Sequence, residues 1–340
     1  MAGGADASGA DATIGEFELI DRYFRRAGAA DGSVVVGIGD DAAVLRLPPE
    51  ADLVAAVDTI VEGRHFPTHS PPRSIGHRAL AVNLSDLAAM GATPAWATLA
   101  LTLPTAQPAW LEEFAAGLLD LAGRHQVALV GGDTTSGPLT VSLQILGFVP
   151  RGTALLRRGA SVGDLIAVSG TLGDAAAGLA ALTAPQAAAG EESLWLRQRF
   201  EYPTPRVELG LAARGIASAA MDLSDGLIGD LPKMAAASGL EAHVELEALP
   251  LSKALRLAYE EGRACELALC GGDDYELLFA VPPARWSALH AAAVNCGTTL
   301  TAIGEFSAGR GVRWRRHGRP HEPVGRGFDH FARASTQVTV

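Results

Sequence analysis

Apolar and polar positions alternate along the chain with two different periods. Short runs rich in Val, Ile and Leu predict strands, whereas apolar residues at wider spacing, such as Leu80, Leu84 and Leu87, predict helices. The first series of strands is predicted in SVVVGI, AAVLRL, DLVAAVD, AWATLALTL, VALVGG and LTVSLQILGFV, and helices are predicted in EFELIDRYFRRAG, SIGHRALAVNLSDLAAMGA and residues 108–125. This mixed order predicts the α+β (mixed α/β) class, with two αβ domains.

The polar, glycine-rich segment PRGTALLRRGASVGD separates two such series of elements. After it the pattern restarts with the strand LIAVSG, and later strands are predicted near Met221 and in DYELLFAVP, LTAIGEF and GVRWRRH. Helices are predicted from Asp174 and from Asp225. We therefore predict a disordered tail over residues 1–15, an N-terminal domain over 16–150, a C-terminal αβ domain over 151–331 and a short tail over 332–340.

The composition narrows the possible functions. A net charge of −11 argues against a nucleic-acid partner, which needs a basic face. No apolar run approaches the roughly 20 residues of a membrane-spanning helix, and the first residues lack the basic and apolar regions of a secretory signal. The 3 cysteines do not have zinc-site spacing, which predicts buried thiols in a reducing, cytoplasmic compartment.

Acidic residues recur at the edges of the predicted strands, beside Gly, Ser or Thr. Asp41, Asp58, Asp133 and Asp222 each lie at the end of an apolar run. Strand ends at one sheet edge are neighbours in open α/β folds, so the pattern predicts that these four carboxylates converge.

Each acid also has a simpler interpretation when it is taken alone. Asp commonly caps helices and starts turns, so Ser224 or Asp225 is a candidate cap for the helix that follows. Asn83 and Asp86 fit the polar stripe of a surface helix equally well. We interpret Asp164 and Asp174 as cap or turn residues of this kind.

Several converging carboxylates favour a bound cation. Two like charges about 4 Å apart repel by about 4 kcal/mol at an effective dielectric of about 20, so a cluster of them must stay partly protonated or bind metal. Oxygen ligands without nearby Cys or His select Mg²⁺ or Ca²⁺, and Mg²⁺ typically joins protein carboxylates to substrate phosphates. The neighbouring glycines allow backbone N–H groups to approach those phosphates. The sequence therefore predicts a Mg²⁺-dependent nucleotide site and phosphoryl transfer.

Other nucleotide motifs fit less well. GIGDDA, from Gly37 to Ala42, matches a dinucleotide-binding pattern, but the residues after it predict strand, turn and strand instead of the helix that this motif must open. The P-loop pattern and the protein-kinase motifs are absent. Because the chain has only two lysines, arginine is expected to bind phosphate, and Arg157 and Arg158 are candidates, with solvated linker charge as the alternative. His65 and His69 have metal-like spacing but no third ligand.

A series of ordered motifs from about residue 16 to residue 331 resembles the thiamine-monophosphate kinase family, within the superfamily of aminoimidazole ribonucleotide synthetase. The motifs are GIGDDAAVL, DTIVEGRHF, AVNLSDLAAMGATPAWATLALTLP, GGDTTSGPL, GFVPRGTALLRRGA, MDLSDGLIGDL, GGDDYELLF and GFDHF. The resemblance implies transfer of the γ-phosphoryl group of ATP to thiamine phosphate by direct in-line transfer, assisted by several Mg²⁺ ions. It also implies a homodimer in which the N-terminal, ATP- and metal-binding domains pair.

The same resemblance implies roles for individual residues. ATP contacts are implied for Gly132, Asp133, Arg157 and Ser224, and contacts to thiamine phosphate for His65, Asp273 and Phe328. Asp41 is implied to bind metal while Asp40 supports the turn. The full set of implied metal ligands is Asp41, Asp58, Asp86, Asp133, Asp222 and Asp225.

The chain departs from the family pattern at two places. Family members often have Ser and Thr before the aspartate matched by Asp58, where this chain has Ala56 and Val57. The family motif GGEDYEL is GGDDYEL here, so Asp273 replaces a glutamate. The alternatives are another ATP-dependent synthetase of the superfamily and a non-catalytic nucleotide-binding regulator. The selenophosphate-synthetase alternative needs a Cys near the N-terminus, and the first cysteine is Cys265.

Overall fold

The structure is a computed structural model that describes residues 15–25, 32–183 and 190–328. The predicted tails, apart from Gly15, lie outside these ranges. The helices are α1 (Glu16–Leu19, continued by a π-helical turn Ile20–Phe24), α2 (Pro72–Ala89), α3 (Pro108–Arg124), α4 (Asp174–Thr183), α5 (Glu191–Glu201), α6 (Val207–Ala213), α7 (Leu227–Ser238), α8 (Lys253–Ala258), α9 (Glu261–Cys270) and α10 (Trp286–Asn295). None of these is both long and apolar enough to cross a membrane.

The strands form three sheets in the described part of the chain. They are β1 (Val34–Val36), β2 (Val44–Leu45), β3 (Ala51–Val61), β4 (Thr93–Leu103), β5 (Ala128–Ser136), β6 (Thr140–Pro150), β7 (Leu165–Ser169), β8 (Ala219–Asp222), β9 (Glu241–Glu245), β10 (Leu277–Val281), β11 (Leu300–Ser307), β12 (Gly311–Arg316) and β13 (Arg319–Pro320). The predicted mixed α/β class with two αβ units is confirmed.

The first unit contains a four-stranded sheet in the order β3-β6-β4-β5. Only the pairing of β4 with β5 is parallel. The β1–β2 ribbon precedes this sheet and consists of strand, turn and strand, so no helix opens after Gly39 and the dinucleotide-binding pattern is excluded.

The second unit contains a seven-stranded sheet in the order β13-β12-β9-β11-β7-β10-β8. All pairings are antiparallel except that of β9 with β12. The segment between β6 and β7, predicted to be the domain boundary, contains no helix or strand. Its assignment as the boundary stays a prediction.

Helix α2 lies between the two units and is buried along nearly its whole length. It contacts β3, β4 and β6 of the first sheet and β8 and β10 of the second. Because protein surrounds the helix, its polar side chains Arg78, Asn83 and Ser85 are buried together with its apolar ones. Where α2 crosses α3, a Cβ on Gly76 would lie 2.1 Å from the Phe114 carbonyl, and one on Gly117 would lie 1.9 Å from the Arg73 carbonyl. These two glycines therefore allow the helix backbones to touch.

The burial of α2 excludes the interpretation of Asn83 and Asp86 as a solvent-facing stripe. Asn83 is fully buried and donates its amide to the Ala79 carbonyl at 2.9 Å. Asp86 is partly buried.

The prediction that four acids lie at strand ends of one sheet edge is wrong. Asp58 lies within β3 and pairs with Leu143, and Asp133 lies within β5. Both strands run on through β-branched and polar residues that a sheet tolerates. Asp41 lies in the turn between β1 and β2, and only Asp222 ends its strand. The four residues belong to three different sheets.

Candidate active site

A cleft of about 780 Å³ opens between the loop after β3, helices α4 and α9, and the segments 224–225, 271–275 and 324–328. It is lined by residues from both units, because Asp58 to Pro67 come from the first and the rest mostly from the second. Of the residues predicted to be functional, the structure brings six to this cleft: Asp58, His65, Ser224, Asp225, Asp273 and Phe328.

Asp58, which lines the cleft, interacts electrostatically with two carboxylates that do not line it, Asp86 and Asp222. Asp58 and Asp86 share a side-chain hydrogen bond, and the charges of Asp58 and Asp86 both interact with that of Asp222. Burial, followed by repulsion from Asp222 and Asp58, raises the pKa of Asp86 to about 8. Burial also raises the pKa of Asp58 and raises that of Asp222 to about 6. Burial and repulsion therefore favour the protonated form of Asp86 at neutral pH.

Ser85 connects the first unit to the acidic residue Asp222 of the second unit through a hydrogen bond. Its hydroxyl, on α2, donates to Oδ2 of Asp222 at the end of β8, with an oxygen–oxygen distance of 2.8 Å. The hydrogen bond lowers the pKa of Asp222 against the larger effect of burial. Ser85 and Asp86 are consecutive residues of α2. Ser85 orients the Asp222 carboxylate, and Asp86 adds a second carboxylate near it.

The segment MDLSDGL is shaped by an acid that the sequence analysis did not single out. Asp230, in the first turn of α7, is almost fully buried and accepts from the backbone N–H groups of Ser224 at 3.0 Å and Asp225 at 2.9 Å. The N-cap of α7 is Gly226, so neither Ser224 nor Asp225 caps this helix as the simpler interpretation proposed. Lys233 bridges the two acids, with its Nζ 2.8 Å from Asp230 and 2.6 Å from Asp225.

GGDDYEL places its side chains alternately toward the cleft and into the protein. Asp273 and Tyr275 line the cleft, and both have left-handed backbone conformations, with φ of 69° and 50°. Asp274 is buried and accepts from the N–H groups of Gly173 at 2.6 Å and Ala175 at 3.1 Å, at the start of α4. The motif is therefore anchored by its inward side.

Glu276 completes this anchor. It is fully buried and accepts from Arg199 at 2.9 Å, from Arg206 at 2.5 and 2.7 Å, and from Ser169 at 2.5 Å. The two guanidinium groups outweigh burial and hold the pKa of Glu276 below its ordinary value. Ion pairs and hydrogen bonds of this kind offset the free-energy cost of burying a charged carboxylate.

His65 and Phe328 lie on the outer wall of the cleft. The ring Nδ1 of His65 accepts from the Val61 N–H at 3.0 Å, which closes the turn after β3. Phe328 donates its own N–H to the Asp225 carbonyl at 3.1 Å, and the Arg64 guanidinium lies 5.1 Å from its ring centroid. An aromatic ring and a histidine thus flank the acidic region.

Six predicted site residues do not line this cleft: Asp86 and Asp222, described above, and Asp41, Gly132, Asp133 and Arg157. Arg157 is exposed, but its charge acts on Asp86 and lowers the pKa of that carboxyl. Asp41 and Gly132 are exposed, as is Asp133. β5, which carries Asp133, is separated from β3 by three strand spacings, about 14 Å. The roles of Asp41, Gly132 and Asp133 stay predictions.

Asp40 and Gly132 have local structural roles. Asp40 accepts the N–H of Asp41 at 2.9 Å, which confirms that it supports the turn. At Gly132, with φ of 154°, a Cβ would lie 1.9 Å from the Leu99 carbonyl, so no side chain fits between β4 and β5 there.

The oxygen donors match the chemistry of a hard cation. Within the described ranges, no three His, Cys, Asp or Glu side chains are grouped so that they alone would hold a metal ion. Burial is the main reason why the pKa values of Asp58, Asp86 and Asp222 are raised, and repulsion by neighbouring carboxylates adds to it at Asp86 and Asp222. A cation that also takes oxygen ligands from a substrate or water would relieve this repulsion, which is the usual coordination of Mg²⁺.

Family models match both units. Residues 39–149 match the AIR synthase related protein, N-terminal domain, and residues 161–315 match the AIR synthase related protein, C-terminal domain. Together with the two sheets and the cleft between them, these matches define an enzyme fold of the AIR synthase related class.

Relatives of this chain narrow the class further. The thiamine-monophosphate kinase of Salmonella typhimurium is 48% identical over 320 residues, which cover 94% of this chain and 98% of the relative. The crystal structure of thiamine-monophosphate kinase from Stenotrophomonas maltophilia K279a is 46% identical with a TM-score of 0.83, covering 91% of this chain and 99% of that one. The structure of AaThiL complexed with AMPPCP and TMP is 34% identical with a TM-score of 0.75, covering 93% and 97%. The chain belongs to the thiamine-monophosphate kinase family.

Proposed function

We propose that this enzyme is an ATP:thiamine-phosphate phosphotransferase, which converts ATP and thiamine phosphate to ADP and thiamine diphosphate. The observation that carries the proposal is the cleft in which Asp58, one of three interacting carboxylates, lies together with His65, Asp273 and Phe328. One end suits a cation and phosphates, and the other suits an organic heterocycle. The AaThiL structure, which holds AMPPCP and TMP, supports both ligand classes.

Several Mg²⁺ ions are part of the proposal, because so many acids need a counter-charge. Asp58, Asp86 and Asp222 would hold such ions, with Asp225 beside them. When bound, Mg²⁺ would neutralise the charge of the transferring phosphates. Asp41 and Asp133 are proposed as further ligands from the motif resemblance alone. Ala56 and Val57 bear no side-chain oxygen, so only backbone or water oxygens are available beside Asp58.

The protein contributes positioning and electrostatics to the transfer. Ser224 and Gly132 are proposed to contact ATP, together with Arg157, whose charge already acts on Asp86. Two bound substrates held end to end allow direct in-line transfer, since phosphoryl transfer depends mainly on alignment and charge stabilisation.

Production of thiamine diphosphate tests the proposal. The protein is incubated with ATP, Mg²⁺ and thiamine phosphate, with a parallel sample in EDTA, and the product is measured by chromatography. Asp58→Asn is expected to lower turnover by about a hundredfold or more. Asp52→Asn, on the same strand, is the matched control because Asp52 is exposed and hydrogen-bonds Gly152 instead.

The alternatives give different results in the same assay. Another superfamily synthetase would hydrolyse or transfer from ATP without producing thiamine diphosphate. A non-catalytic regulator would bind ATP without turnover. Full activity of Asp58→Asn at subsaturating Mg²⁺ would reject Asp58 as a ligand.

A homodimer through the N-terminal units is also proposed. Leu53 and Val57 on β3 have 52% and 64% of their surface exposed, and Val35 and Val44 on the β1–β2 ribbon are also exposed. An apolar edge strand of this kind is typical of a protein interface. Light scattering should give twice the 35.1 kDa chain mass, and Val57→Glu should lower it toward one chain. A measured mass of 35.1 kDa for both the wild-type protein and Val57→Glu would reject the dimer.

A further inference from the structure

Arg78 is a buried arginine that reaches from one unit to the other. It lies on α2 and is only 2% exposed. Its Nη1 donates to the Phe200 carbonyl at 2.7 Å, and its Nη2 donates to Oδ1 of Asp273. The guanidinium also lies 4.3 Å from the Phe200 ring centroid and 5.7 Å from that of Tyr275. These contacts fix the position of the guanidinium group.

Asp273 is held by two donors on the same oxygen. Its Oδ1 accepts from Arg78 and from the Tyr275 hydroxyl at 3.1 Å, while its own N–H donates to the Ser224 carbonyl at 2.9 Å. Burial raises the pKa of Tyr275 well above its ordinary value, so this hydroxyl remains a donor. Among the described residues, Oδ2 of Asp273 has no hydrogen-bond partner, and the side chain is 30% exposed in the cleft.

We propose that Arg78 and Tyr275 are positioning residues that occupy one oxygen of Asp273 and so reserve the other for an N–H donor of the bound thiamine moiety. The inference rests on the proposed kinase function. Since the charge of Asp273 is already paired with Arg78, its free oxygen acts as a hydrogen-bond acceptor more than as a counter-charge. The two contacts also account for the short aspartate at this position of GGDDYEL, because Arg78 and Tyr275, and not side-chain length, set the position of the carboxylate.

Kinetics of Tyr275→Phe and Arg78→Lys test the inference. Tyr275→Phe keeps the ring beside Arg78 and removes only the hydroxyl, so the fold is retained. Each variant is expected to raise KM for thiamine phosphate about tenfold, the effect of one lost hydrogen bond to a charged group. KM for ATP should change less than about twofold and kcat should stay close to wild type, a separation that a general loss of structure does not produce. Matched controls are Tyr23→Phe, which removes a hydroxyl bonded to the Pro108 carbonyl at 3.2 Å, and Arg73→Lys, on the exposed side of α2.

A double-mutant cycle completes the test. If both side chains act through Asp273, then Tyr275→Phe adds little to the KM of an Asp273→Asn protein. Independent, additive effects would overturn the inference, as would a normal KM for thiamine phosphate in Tyr275→Phe and Arg78→Lys. If only this inference fails, the wild-type protein still produces thiamine diphosphate. If the proposed kinase function fails, the wild-type protein itself is inactive.

Discussion

Ser85 donates a 2.8 Å hydrogen bond to Asp222, although the two residues are 137 positions apart and belong to different units. The acceptor is a buried carboxylate, and Asp86, the next residue on the same helix, repels it electrostatically. One turn of α2 therefore supplies both a stabilising and a destabilising partner for the same acid.

Removing the stabilising partner should weaken the fold and the acidic site together. Ser85→Ala leaves a buried carboxylate oxygen without its donor, which should lower the free energy of unfolding by about 1–3 kcal/mol. Urea denaturation measures this change. Ser74→Ala, on the same helix, removes a hydroxyl that bonds only the Pro71 carbonyl near the helix start and serves as the control. Equal losses in the two variants would contradict a special role for the Ser85–Asp222 contact.

The raised pKa of Asp86 predicts how stability depends on pH without metal. A carboxyl whose pKa rises from 3.8 to about 8 on folding binds its proton more tightly in the folded state. Stability should therefore fall as the pH rises between these two values. Asp86→Asn cannot titrate, so at pH 8 in EDTA it should be more stable than wild type, by about 1 kcal/mol or more.

Urea unfolding at pH 6, 7 and 8 checks this expectation. The wild-type and Asp86→Asn curves should diverge as the pH rises, and Mg²⁺ should reduce the difference by stabilising the charged wild-type site. Asp120→Asn, an exposed acid on α3, is the control. Parallel curves for wild type and Asp86→Asn would show that Asp86 does not hold its proton in the folded protein.

Arg157 acts on the same carboxylate from the segment between the units. Arg157→Ala removes the positive charge that lowers the pKa of Asp86 and is expected to raise KM for ATP by about tenfold, the loss of a charge-assisted contact. Folding should change little, because the side chain is exposed. Steady-state kinetics with ATP varied, beside Arg158→Ala, distinguish a phosphate contact from solvated linker charge. Normal ATP kinetics in Arg157→Ala would show that Arg157 is only solvated linker charge.

The structure changes the expectation for the two lysines. The sequence indicates no role for Lys233 or Lys253, yet Lys233 contacts Asp225 and the buried Asp230. Lys233→Gln should lower the free energy of unfolding by about 1–3 kcal/mol, because Asp230 loses a charged donor. Lys253→Gln, at the start of α8, is the matched control. Indistinguishable unfolding curves for the two variants would show that the Lys233 contacts are energetically negligible.

The sequence alone predicts much of the fold because strand and helix periods, and the ordered motifs, are local properties. It predicts the two units, most of the strands and the family. It does not predict that Asp58 lies inside β3, since DLVAAVD continues into TIV without a stop signal. Nor does it predict β9, whose five residues carry few apolar side chains.

The parts of the site that were missed depend on contacts between distant segments. Arg78 lies in α2 outside every acidic motif, and its partner Asp273 is 195 residues away. Asp230 lies within the motif MDLSDGLIGDL and Lys233 follows it, but the role of both depends on the turn of α7. The available signal for Arg78 was a charged residue beside the apolar run of α2, because burial of such a group requires a partner.

The central position of α2 has a consequence for synthesis of the protein in the cell. A ribosome completes Ser85 long before Asp222, and at about 5–20 residues per second the 137 residues between them take roughly 7–30 s. During this interval the side of α2 that later meets β8 and β10 has no partner, so apolar surface remains open to chaperones. The cleft itself is complete only when Phe328 has left the ribosome, and a truncated chain therefore cannot bind its substrates in the mature geometry.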